Sequence, residues 1–187
     1  MEKLNQTVGF VYFVMLLDNN GKRIYSRYFV NEGHSLYDAS QQKEFEKKIG
    51  QTVLNLNVNK NNEGNIVLIQ VDVFNLNEFL VVCKINKEIA MFIGAHEDDN
   101  ECIVANILDI FEECLENITK HNLSKKSIME NYQHLALLID EMIDEGIVIN
   151  TDSENLESKV YLRESKTTST SESGGGYFKS VRLLFII

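Results

Sequence analysis

The side chains able to do chemistry in this chain are four histidines, three cysteines and a surplus of carboxylates. His96 with Glu97, Asp98 and Asp99 is the nearest approach to a metal-ligand cluster, but zinc-type and EF-hand spacings are absent around it and around His34, His121 and His134. A cysteine nucleophile needs a thiolate beside a base. Cys83 and Cys114 instead fall on apolar stretches, where small buried cysteines are common. With Cys102 they form no CxxC pair and are odd in number, which argues for a reducing compartment and against a disulfide framework. Gly174-Gly175-Gly176 follows no strand and opens no helix, so it reads as linker rather than as a phosphate cradle. No catalytic residue, cofactor or metal site is expected.

The carboxylates are a different matter, because they are grouped. Asp140, Glu141, Asp144 and Glu145 crowd one end of an apolar-periodic stretch, and Asp109, Glu112, Glu113 and Glu116 form one face of another. Carboxylates at a helix C-terminus oppose the macrodipole, at about 0.3–1 kcal/mol each when exposed. Water screening makes a solvated face the simplest reading. A local conflict of this kind can also mark a contact surface, and the two groups together would steer a basic partner. Asp140, Glu141, Asp144 and Glu145 are therefore the expected partner interface. Net charge is −10. Residues 161–187 carry Arg163, Lys166, Lys179 and Arg182 against Glu164 and Glu172, a net of +2, so the rest of the chain carries −12. That balance argues against nucleic acid as a partner and against direct attraction to an anionic membrane.

The elements that must position these groups follow from periodicity. From Ser127 to Asp152 the chain reads as a long amphipathic helix with a capped exit. Ile128, Tyr132, Leu135, Ile139 and Met142 step along one face, and Leu138 and Ile143 widen it. Gly146 suits the left-handed residue that ends such a helix, and Asn150 to Ser153 can cap a further short one. A preceding helix carries Val104, Ile107, Leu108, Phe111, Leu115 and Ile118 inward, started by Asp98–Asn100 and ended at His121-Asn122, with Ser124 capping the next. Another, near 40–56, has Phe45, Ile49, Val53 and Leu56 on one face, with Gly50 weakening it by about 1 kcal/mol.

Val8–Leu17 is apolar almost throughout and ends in a turn without a small-residue cleavage site, so it reads as a central strand, not a signal peptide. Asn20-Gly21 signals a hairpin to Lys22–Val30. Ile66–Val73, with Val67, Ile69, Val71 and Val73 on one face, is a third strand; Asn75-Leu76-Asn77 turns the chain into the hairpin Phe79–Ile85 and Ile89–Gly94. Asn57 to Asn65 reads as a mobile Asn-rich loop. No stretch approaches the roughly 20 apolar residues that span a bilayer. The expected fold is α+β: a five-stranded antiparallel sheet flanked by helices, in the order β-β-α-β-β-β-α-α. One domain should occupy residues 1–160. Residues 161–187 should form a flexible Ser/Gly-rich tail with an apolar end, Val181–Ile187.

Four stretches carry a resemblance. They are Leu16-Leu17-Asp18-Asn19-Asn20-Gly21-Lys22-Arg23-Ile24; Lys43-Glu44-Phe45-Glu46-Lys47-Lys48-Ile49; Ile89-Ala90-Met91-Phe92-Ile93-Gly94 with Glu97 and Asn100-Glu101; and Leu137 to Ile149 ending at Thr151-Asp152. In this order they resemble the coatomer zeta branch of the clathrin-adaptor and coatomer small-subunit family, over residues 8 to about 160. The Asp18–Arg23 turn favours the coatomer branch, since clathrin-adaptor small subunits usually have a more basic turn there. The Asn-rich loop, the single glycine at 146 and the Ser/Gly tail depart from the family pattern. The resemblance implies a longin-like fold and a non-catalytic, cytoplasmic coat protein. Its partner would be the gamma-coatomer large subunit within the heptameric COPI coat, brought to Golgi membranes by an Arf-type GTPase for Golgi-to-ER and intra-Golgi transport. Two rivals share the fold: a clathrin-adaptor sigma-type subunit that binds sorting signals, and a longin-type regulator of a GTPase or SNARE.

Overall fold

The computed structural model describes residues 10–61, 70–86 and 88–165, without the side chains of 55–61, 70–71 and 162–165. Its centre is a five-stranded sheet in the order β2-β1-β5-β4-β3, made of β1 (Val11–Asp18), β2 (Arg23–Tyr28), β3 (Gln70–Leu76), β4 (Phe79–Ile85) and β5 (Ile89–His96). Every neighbouring pair is antiparallel; short turns require this for the sequential pairs, while the central β1–β5 pair joins strands remote in sequence. β1 is interior, as its unbroken apolar run predicts, because both faces of the sheet are covered.

On one face lies α1 (Ala39–Asn61). Its Phe45, Ile49 and Val53 meet Phe13, Met15 and Leu17 of β1 and Phe92 of β5. On the other face lie α2 (Glu101–Ile118), α3 (Lys125–Glu130), α4 (Tyr132–Met142) and α5 (Ser153–Ser165). The α2 stripe predicted from its spacing is buried in full, against Val14 and Leu16 of β1 and Met91 and Ile93 of β5. Burying each such side chain contributes roughly 1.5–3 kcal/mol. The Asn100 side chain caps α2 by accepting from Cys102 N–H, and the Ser124 side chain caps α3 by accepting from Ser127 N–H.

Several boundaries differ from the sequence reading. The long helix from Ser127 is two helices, α3 and α4, parted at Asn131. There the Asn131 side-chain amide donates to the Ser127 carbonyl at 2.9 Å. The shift keeps Ile128 and Leu135 buried but leaves Tyr132 exposed, where its ring lies 5.4 Å from Tyr25. α4 ends at Met142, and the residues expected to finish it form a small hairpin, β6 (Ile143–Asp144) with β7 (Ile147–Val148). α1 runs on to Asn61, through the first half of the expected Asn-rich loop. Asparagine costs only a few tenths of a kcal/mol per residue once a helix is nucleated. The rest of that loop, with Val67 and Ile69, falls outside the described residues. β3 continues to Leu76 and the turn is Asn77-Glu78, with Asn77 at φ 57. Val73 is partly exposed because β3 is an edge strand. α5 runs to Ser165, past the expected boundary at 160; Val181–Ile187 lies outside the described residues.

Gly50, a weak point for an isolated helix, is where α1 crosses the β1–β2 turn. A Cβ there would sit 2.6 Å from the carbonyl oxygen of Gly21. The backbones touch, and only glycines allow it.

Candidate partner interface

The four carboxylates singled out from the sequence lie on two elements with different surroundings. Asp140 and Glu141 stand in the last turn of α4. There the predicted conflict with the helix dipole is real, and each has a cation from another element. Asp140 Oδ1 lies 3.6 Å from Arg27 Nη2 of β2, and Glu141 Oε2 lies 3.3 Å from Lys159 Nζ of α5. The Arg27 pair is half-exposed and contributes little. The Glu141 side chain is mostly buried, so its pairing with Lys159 is the tighter constraint. Asp144 and Glu145 stand beyond the helix, on the β6–β7 hairpin, and both are exposed.

This hairpin was not legible as one. Its two-residue loop is Glu145-Gly146, with φ of 46 and 90, the double positive φ of a type I′ turn. The usual signal is Asn-Gly or Asp-Gly; a glycine after a helical run looks instead like a helix C-cap. The hairpin is held against the body. Val11 N–H donates to the Gly146 carbonyl at 2.8 Å and Ile149 N–H to that of Met142 at 2.9 Å. The Phe10 ring lies where a Cβ on Gly146 would be. Ile143 is buried and Val148 packs on the core, while Ile147 and Ile149 project with 58% and 57% of their surface exposed. Next to Phe10 a groove of about 400 Å³ opens, lined by Phe10, Tyr12, Phe29, Val30, Glu32 and His34 among others.

The α2 carboxylates are less free than their helical face suggests. Glu112 is buried, and it and Asp109 approach Lys84 of β4 at 2.6 and 2.5 Å. Burial pushes the Lys84 ammonium down, but the two carboxylates outweigh it and hold it above its ordinary range. These groups clamp helix to sheet, leaving Glu113 exposed and Glu116 partly so. Asp18 does a similar task at the β1–β2 turn. Its Oδ1 accepts from Asn20 and Lys22 N–H at 3.0 and 2.9 Å, and its Oδ2 from Lys125 Nζ at 2.8 Å. Burial raises its carboxyl, yet Lys125 and the two backbone donors bring it below the usual carboxylate value. On α1, Glu46 Oε1 accepts from Arg23, Ser26 and Tyr28 of β2.

The groups considered for catalysis are placed as structure. Cys83 and Cys114 are fully buried. Burial, with Glu157 and Glu113 nearby, pushes the Cys114 thiol up to about 12, far from a thiolate at neutral pH. His96 and Asp99 shape their own turn, Asp99 Oδ2 accepting from His96 N–H at 3.1 Å. Among the described residues no three His, Cys, Asp or Glu are grouped to hold a metal ion, and no helix is long and apolar enough to cross a membrane.

The described residues thus form a sheet covered on both faces, with paired internal charges and two exposed isoleucines on a braced hairpin. The family model of the clathrin adaptor complex small chain matches residues 10–167, and the chain belongs to that family. Within it, the curated relatives include coatomer zeta subunits. The one from Saccharomyces cerevisiae is 31% identical over 154 residues, covering 79% of this chain and 75% of the yeast protein. Coatomer subunit zeta-1 from Homo sapiens is 23% identical over 169 residues, covering 90% and 86%. The branch is therefore that of the small subunits of the COPI coat, a family of structural coat subunits. A chain in a homology model of the full-length AP-3 complex superposes with a TM-score of 0.57 at 14% identity, covering 86% of this chain and 96% of that one. That likeness shows the fold, the longin-like architecture of adaptor small subunits.

Proposed function

We propose that this chain is the non-catalytic small subunit that completes the COPI coat by pairing with the trunk of the gamma-coatomer large subunit. It would act with the rest of the heptameric coat, recruited through an Arf-type GTPase to Golgi membranes and vesicles, in Golgi-to-ER and intra-Golgi transport. The observation that carries this reading is the match to coatomer zeta subunits across three-quarters or more of both chains. Physical chemistry supports it. The described residues contain no membrane-spanning helix, and the chain is acidic, so a partner must bring it to an anionic surface. A permanent subunit interface often buries more than about 2,000 Å², and exposed Met129, Tyr132, Ile147 and Ile149 are material for one. Of the carboxylates Asp140, Glu141, Asp144 and Glu145, the exposed Asp144 and Glu145 would face basic groups of the large subunit, while Asp140 and Glu141 are engaged by Arg27 and Lys159. Affinity purification of the chain from cells at physiological salt tests the reading. One stoichiometric coat large subunit is the expected result; a chain recovered as a monomer would overturn it.

A further inference from the structure

We infer that the β6–β7 hairpin and the groove beside it form one seat for a basic, partly apolar segment of the coat large subunit, with Ile147 and Ile149 as its apolar anchors. This rests on the proposed pairing and locates it. Residues two apart on extended backbone point the same way. With Val148 turned inward onto the core, Ile147 and Ile149 therefore present one adjoining apolar knob. Exposed apolar residues standing singly need no explanation; a pair, each more than half exposed, on a braced two-strand hairpin does. Main-chain bonds to β1 and α4 and the Phe10–Gly146 contact fix the hairpin, so presenting the knob requires little ordering on binding.

Phe10 ties the knob to the groove, since its ring packs on Gly146 and also lines that cavity with Phe29 and Val30. Among the described residues, the unpaired charge bordering this apolar surface is acidic. Asp144 and Glu145 flank the knob and Glu32 borders the groove. Among the described residues, the groove lining contains no Lys or Arg. The neighbouring cation, Arg27, is engaged with Asp140 and lies 5.8 Å over the Phe29 ring. An apolar surface with an acidic rim fits a partner that offers apolar side chains flanked by Lys and Arg. The same rim repels anionic lipid, which favours protein over membrane as the occupant.

The test uses the full chain co-expressed with the gamma-coatomer trunk. Ile147→Ser with Ile149→Ser should leave the melting temperature of the chain unchanged and weaken capture at least about 30-fold, as loss of two anchor residues does. Asp144→Lys with Glu145→Lys should slow association, most at low salt. Leu54→Ser, an exposed apolar position on α1, serves as the control and should bind like wild type. A photo-crosslinking residue at 147 should label the large subunit, and one at 54 should not. Wild-type chain that fails to capture the trunk overturns the pairing itself. Wild-type capture that survives the double serine variant overturns the seat alone. Should that variant melt early, the crosslink decides, and absence of label at 147 overturns the seat.

Discussion

Lys84→Met is the sharpest test of how the helices are held to the sheet. The Lys84 side chain is 13% exposed and Glu112 12%, while Asp109 is 56% exposed. Removing the ammonium therefore strands one carboxylate, Glu112, in a nearly dry place and leaves the other in water. Breaking a fully buried pair costs about 3–5 kcal/mol. The Met side chain still covers the apolar surface beneath, and Glu112 retains some access to water, so the expected loss is about 2–4 kcal/mol. For a chain of this size that lowers the melting temperature by roughly 4–16 °C, and the urea midpoint by about 1–2 M at a slope near 2 kcal/mol/M. The companion variant, Lys84→Met with Glu112→Leu, removes the stranded charge and should recover most of the loss, since an apolar pair of similar volume often replaces a buried ion pair without penalty. Denaturant melts of wild type, Lys84→Met, Glu112→Leu and the double variant give all corners of the cycle. A single variant within 0.5 kcal/mol of wild type (order of magnitude for a surface change), or a double variant less stable than the single, would refute the reasoning.

Other outcomes follow from the same contacts. Gly50→Ala gains about 1 kcal/mol in helix propensity, but its Cβ meets the Gly21 carbonyl oxygen at 2.6 Å, and overpacking against backbone costs about 1–3 kcal/mol. A net loss in thermal melts is expected, and a gain would mean that α1 and the turn separate freely. The Asp18 carboxyl is held below its ordinary value. Its contribution is therefore complete above the unfolded carboxylate value of about 3.9 and lost as pH falls through the folded one. Wild type should exceed Asp18→Asn in stability at pH 6, with the gap closing below about pH 4 in acid denaturation. Charge reversal at Asp144 and Glu145 should weaken coat assembly in a salt-dependent way, measured by co-purification at two ionic strengths, while Asp140→Lys should act chiefly through Arg27.

Much of the fold was readable because it rests on patterns local to each segment. The α2 stripe from Val104 to Ile118, the unbroken apolar run of β1 and the hairpin of β4 and β5 each needed only their own residues and a water-excluding centre. Caps at Asn100 and Ser124 were readable for the same reason, since cap and helix are three residues apart or fewer. The division of α3 from α4 was hidden because the apolar period continues across Asn131, so a bent pair and one straight helix give the same pattern until the sheet beneath selects between them. Glu112 looked like a solvent-facing residue because its partner, Lys84, is 28 positions away on another element.

The candidate interface divides the same way. The sequence by itself determined that the chain is acidic and groups carboxylates near residues 140–145. Only the tertiary structure decided which of them remain available. Arg27 and Lys159, remote in sequence, come to Asp140 and Glu141 because β2 and α5 pack beside α4. It also turned Ile147 and Ile149 outward, since a hairpin's facing is set by what its other side can bury, and that side had Ile143 and Val148 to place against the core. Charge and hydrophobicity belong to residues, but exposure belongs to the packed chain.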